Sequence, residues 1–87
     1  MRLTKTDYKH DAQLLRRIAD EIEEMRIGGS SPFWRYVARK RLESNLRLAD
    51  DPTLKRLRKL DDRETAAETL VASLREMAEE RATKGVA

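Results

Sequence analysis

His10 is the only histidine of the chain, and there is no cysteine. A lone imidazole forms no His-x-x-x-His or Glu-x-x-His ligand pair. With no partner at helical spacing it reads as a solvated first-turn side chain. Asp20, Glu23 and Glu24 have the oxygen chemistry of a divalent-cation site, but carboxylates on a helix face are usually just hydrated, and a magnesium site commonly adds substrate phosphate. Gly28-Gly29-Ser30-Ser31 is rich in small residues, yet no lysine follows it and no strand precedes it, so it is no phosphate-binding loop. A pocket for a dianionic substrate would need several inward arginines, and Arg41 is the one strong candidate. The expectation is a non-enzymatic protein with no catalytic residue, no metal site and no cofactor.

The residues that do stand out are cations. Lys55, Arg56, Arg58 and Lys59 fill four of five consecutive positions, with Arg35, Arg39 and Lys40 upstream and Tyr36 among them. Clustered cations neutralise phosphates, and an interleaved aromatic can stack on a base. The overall charge is +3, but it is unevenly spread: net 0 over residues 1–31, +6 over 32–60 and −3 over 61–87. The middle third is a local cation. The first functional expectation is therefore a small regulatory protein that binds nucleic acid, DNA or RNA, through Lys55, Arg56, Arg58, Lys59, Arg35, Arg39, Lys40 and Tyr36. The alternative is a helical adaptor or inhibitor that acts by binding a partner protein, through an apolar helix face or the cationic patch. A plainer outcome is that these cations are matched by the chain's own acids. An antiparallel hairpin of the first two helices would set Arg35 and Arg39 beside Glu24, Glu21 and Asp20, and an acidic fourth helix could cover the third.

Arg41 and Asn45 interrupt the apolar arc of their helix, and Asp11 interrupts that of the first. In the same hairpin these three would meet. They are expected to form a partly buried polar cluster that fixes helix register, because an unpaired buried charge costs several kcal/mol.

These side chains need elements to hold them, and the apolar spacing is helical throughout. The first helix is expected over about 7–27, with Thr4 or Thr6 near its cap and Leu14, Leu15, Ile18, Ile22 and Met25 on one side. The second, about 32–49, follows the Gly28-Gly29-Ser30-Ser31-Pro32 loop, with Ser31 as cap. Phe33, Trp34, Val37, Ala38, Leu42, Leu46 and Ala49 make its apolar arc, with Phe33 and Trp34 closing one end of the core. The third is short, about 52–60, capped by Asp50 ahead of Pro52 and buried through Leu54, Leu57 and Leu60. The connection into it is generically like that of a helix-turn-helix, without the usual glycine. The fourth, about 62–83, has Asp61 and Glu64 at capping-box spacing, an apolar face from Ala66 to Ala78, and Gly85 as a stop.

A chain of 87 residues makes one domain with one modest core. The expected fold is all-α: a small bundle of three longer helices plus one short helix, in a single domain over 1–87. Broad apolar arcs on helices one, two and four suggest that a homodimer completes the core. No apolar run is long enough to span a bilayer, so no membrane partner is expected. Met1-Arg2-Leu3-Thr4-Lys5 lacks the apolar stretch of a signal peptide, and the absence of cysteine fits a reducing compartment, so a cytoplasmic location is expected.

Overall fold

A computed structural model describes residues 3–28 and 33–86, the side chains of 25–28 and 86 excepted. Its elements are α1 (Lys5–Gly28), α2 (Trp34–Asn45), α3 (Asp51–Leu57), a 3-10 turn η1 (Arg58–Asp61) and α4 (Ala67–Val86). The all-α bundle of three longer helices and one short one is as expected. The cap at Ser31 and the side chain of Met25 lie outside the described residues.

Thr4 and Asp7 close a reciprocal box at the start of α1. The Asp7 N–H donates to Thr4 Oγ1 at 3.2 Å, and the Thr4 N–H donates to Asp7 Oδ2 at 2.9 Å. Two orphan donors are thereby satisfied. The helix buries Leu15, Ile18, Ala19 and Ile22 against Leu70, Val71, Leu74, Met77 and Ala78 of α4. The two run antiparallel: Arg75 of α4 reaches Asp20 and Glu23, Arg16 reaches Glu79, and Gly85 lies over Lys5, Tyr8 and Lys9. Alanines let the axes close up here, and Gly85 extends the effect. A Cβ on Gly85 would sit 3.3 Å from Lys9 Cγ and 3.5 Å from the Lys5 carbonyl oxygen. The helix continues through Gly85, so this glycine serves close approach rather than termination.

α2 runs back along α1 and contributes Ala38, Leu42 and the half-buried Trp34, followed by Leu46. It ends at Asn45, four residues before the expected limit, because Leu46 turns to extended backbone (ψ 133°). The chain then reverses into α3. Asp50 caps it as expected, accepting from the Thr53 N–H at 3.1 Å, with a proline in the first turn. Thr53, Leu57 and Leu60 point inward. The bundle is thus up-down-up-down, with α3 and η1 antiparallel to α4.

The start of α4 differs from expectation. Asp61 and Glu64 form no capping box, and the helix begins only at Ala67. Asp61 instead pairs with Arg39. Asp62 builds the turn, accepting from the Glu64 N–H at 3.0 Å and the Thr65 hydroxyl at 3.2 Å. An aspartate that bonds its own neighbouring backbone favours a turn over a helix start.

Candidate nucleic-acid interface

The eight residues proposed as a basic surface divide into two groups. Five remain outward: Lys55, Arg58, Lys59, Lys40 and Tyr36. Three arginines do not, and each has a specific internal role.

Arg35 gathers the carbonyls at the end of η1 and the turn beyond it. Its guanidinium donates to the Asp62 carbonyl at 2.9 Å and the Thr65 carbonyl at 2.7 Å, while the ring of Trp34 lies 4.5 Å beneath. A planar fork of donors suits a cluster of carbonyls left orphaned where a helix ends. Arg39 donates to Glu43 at 3.0 Å and faces the Asp61 carboxylate. The Glu43 hydrogen bond is the main cause holding its pKa above the ordinary arginine value. Arg56 donates to Glu80 of α4 at 2.8 Å. The acidic fourth helix therefore does meet the third, through this pair. Arg35 and Arg39, by contrast, turn toward η1 and not toward Asp20, Glu21 and Glu24. The acids Asp20, Glu21 and Glu23 at that end of α1 are met by Arg75 and Arg41.

Lys55, Arg58 and Lys59 are spaced i, i+3, i+4, which places them on one face of the short helix. That face lies opposite Thr53, Leu57 and Leu60, so burying the apolar side holds the cations outward. All three are exposed and make no ion pair among the described residues. Asp51, one turn earlier, is exposed but does not pair with Lys55. On α2, Lys40 is exposed and approaches the ring of Tyr36 at 5.7 Å, and Tyr36 itself is 53% exposed. Arg63, in the turn after η1, is a further exposed cation that the sequence reading passed over. Its signal was weak, being one charge beside three acids.

The polar cluster of Arg41, Asn45 and Asp11 does not form. Asp11 is buried as expected, but its partners are different. It accepts from the backbone N–H groups of Arg47 and Leu48, both at 2.8 Å, and from Arg81 at 3.3 Å. Arg81 is itself 5% exposed. It donates further to the Leu48 carbonyl at 3.0 Å and the Thr53 hydroxyl at 2.6 Å, and that hydroxyl donates to Asp50. One carboxylate and one guanidinium thus tie α1, α4, the 46–50 segment and α3 together. Arg41 pairs with Glu21 at a half-exposed position, and Asn45 donates to the Arg41 carbonyl at 2.8 Å. Arg41 and Asp11 fall too far apart along α1, because Glu21 lies nearly three turns beyond Asp11. Arg81 carried a legible signal: it continues the buried series Leu74, Met77, Ala78.

His10 also departs from expectation, for its Nδ1 lies 3.0 Å from Asp11 Oδ1 and donates to that carboxylate. Asp50 and Asp7 have their pKa values held below the ordinary aspartate range. The chief causes are the Thr53 hydroxyl for Asp50 and the Thr4 N–H, then Arg47, for Asp7. Among the described residues no three His, Asp or Glu side chains converge as a metal site. Among the described residues no helix is long and apolar enough to cross a membrane. No protein-family model, curated protein or solved structure matches the chain.

Proposed function

We propose that this protein is a non-enzymatic regulatory module that binds nucleic acid through the outward face of α3 and η1. Lys55, Arg58 and Lys59 make the phosphate contacts, and Lys40 and Tyr36 flank them on α2. One observation carries this reading. Most arginines around the patch are consumed by internal acids or carbonyls, whereas these three neighbouring cations are left together without an acid. Such a patch contributes affinity that is indifferent to base sequence and weakens with salt. α3 has 7 residues, too short to fill a major groove as a recognition helix does. The expected mode is backbone binding with little sequence preference.

A mobility-shift series with duplex DNA and single-stranded RNA tests it. Wild type is expected to shift at least one of the two at low salt. The variant K55E/R58E/K59E is expected to lose that shift while keeping its helical circular dichroism. Equal affinity of the two proteins would overturn the assignment.

A further inference from the structure

Two side chains expected in the core, Phe33 and Val37, are exposed on α2, whose inward arc is narrow. The recess that bears on function lies elsewhere, in the seam between η1 and α4. Resting on the nucleic-acid reading above, and deepening it, we infer that this recess seats one unstacked pyrimidine base of a single strand whose phosphates lie on Lys55, Arg58 and Lys59. Leu60, Leu70, Leu74 and Met77 form its floor, and all four are buried. Arg56 and Lys59 line it from α3 and η1, and Thr69 and Ser73 from α4. The spacing within each pair, i, i+3 and i, i+4, keeps its members on one face of the helix. The two α4 hydroxyls are unspent. Thr65, also at the recess, gives its hydroxyl to Asp62, and Thr83 further along α4 gives its own to the Glu79 carbonyl. Those of Thr69 and Ser73 make no hydrogen bond among the described residues. Arg56 donates to Glu80 from Nη1 at 2.8 Å, which holds its side chain against α4, and its other N–H groups have no acceptor among the described residues. Among those residues no carboxylate lines the recess.

A nucleobase supplies what this lining is built to meet. Its ring faces pack on aliphatic and thioether surface, and its edge carries both donors and acceptors. Hydroxyls, which also donate and accept, suit that edge, with Arg56 as a further donor. A bare phosphate or carboxylate would leave the apolar floor unused, and an aliphatic side chain would leave the hydroxyls and Arg56 without partners. Lys59 belongs to both the recess and the outward cationic face. A base in the recess therefore brings its own phosphate to that face. Within a duplex the bases are stacked and their edges paired, so a single strand is what can offer one. The cavity measures about 80 Å³, against ~150 Å³ for one that encloses a benzene ring. It takes the edge of a single ring, which favours pyrimidines over the bicyclic purines.

Fluorescence anisotropy of the full chain with an oligothymidine strand, an oligoadenine strand and an abasic strand of equal length tests the inference. The abasic strand carries the same phosphates and no bases. Wild type is expected to bind oligothymidine about tenfold more tightly than the abasic strand, with oligoadenine weaker than oligothymidine. S73L fills the recess without removing a cation. It is expected to bring oligothymidine down to the abasic affinity, leaving the abasic affinity, the salt slope and the circular dichroism unchanged. T69V/S73A, which removes only the hydroxyls, is expected to lose several-fold for oligothymidine alone. Equal affinity of wild type for the oligothymidine and abasic strands would overturn the inference and leave the phosphate-binding face standing. So would an oligothymidine preference that S73L leaves intact, or oligoadenine bound as tightly as oligothymidine. Binding to none of the strands would overturn the inference and the nucleic-acid reading together.

Discussion

Asp11 holds three different kinds of donor: two backbone N–H groups, a guanidinium and an imidazole. Removing it takes an acceptor from each of them and the carboxylate from a guanidinium that is itself buried. Asp11→Ala is expected to destabilise the fold by about 3–5 kcal/mol, measured by urea unfolding, because it strips buried Arg81 of its directly paired carboxylate. Arg41→Met, at the half-exposed pair with Glu21, is expected to cost no more than about 1 kcal/mol. Equal costs for the two would contradict the placement of the buried charge. Asp50 and Asp7 set a pH dependence of known sign. Their folded pKa values are lowered, so their stabilisation is full above the ordinary aspartate pKa and is lost as pH falls below about 4 through the folded values. Asp50→Asn is expected to flatten the acid limb of the stability–pH curve, and an unchanged limb would refute it.

Helical period and caps were legible where local chemistry decides the outcome. Thr4, one of the two threonines expected near the first cap, and Asp50 with its proline acted as sequence logic anticipates. Of the ends that were misread, the start of α4 is set by the local Asp62 turn and the end of α2 by a distant group. Leu46-Arg47-Leu48-Ala49 carries no stop signal, yet α2 ends at Asn45 because Asp11, some 36 residues earlier, captures the N–H groups of Arg47 and Leu48. The basic site was half legible for a related reason. Composition located Lys55, Arg58 and Lys59, whose outward direction follows from the leucines beneath them. It could not foresee Arg35, whose acceptors are carbonyls and so carry no formal charge in the sequence. The short element that carries the cations rests on Leu57, which is fully buried. Leu57→Ala is expected to cost about 2–5 kcal/mol by thermal or urea unfolding. A cost below 1 kcal/mol would mean that α3 is not anchored this way.

At the scale of the molecule, the chain distributes its charges by a simple rule. Arginines at the seams between helices meet acids of the neighbouring helix: Arg16 with Glu79, Arg75 with Asp20, Arg47 with Asp7, Arg56 with Glu80. Pairs this exposed hold register more than they add stability. The outer side of α3 and η1 departs from the rule, and the functional account rests on that departure. The most direct test is the affinity for a nucleic-acid strand, read by fluorescence anisotropy as salt is varied. If Lys55, Arg58 and Lys59 each neutralise a phosphate, log affinity is expected to fall with log salt at a slope of about −2 to −3, and K55E/R58E/K59E is expected to abolish both binding and slope. A salt-independent affinity, or a slope the variant leaves unchanged, would contradict the account.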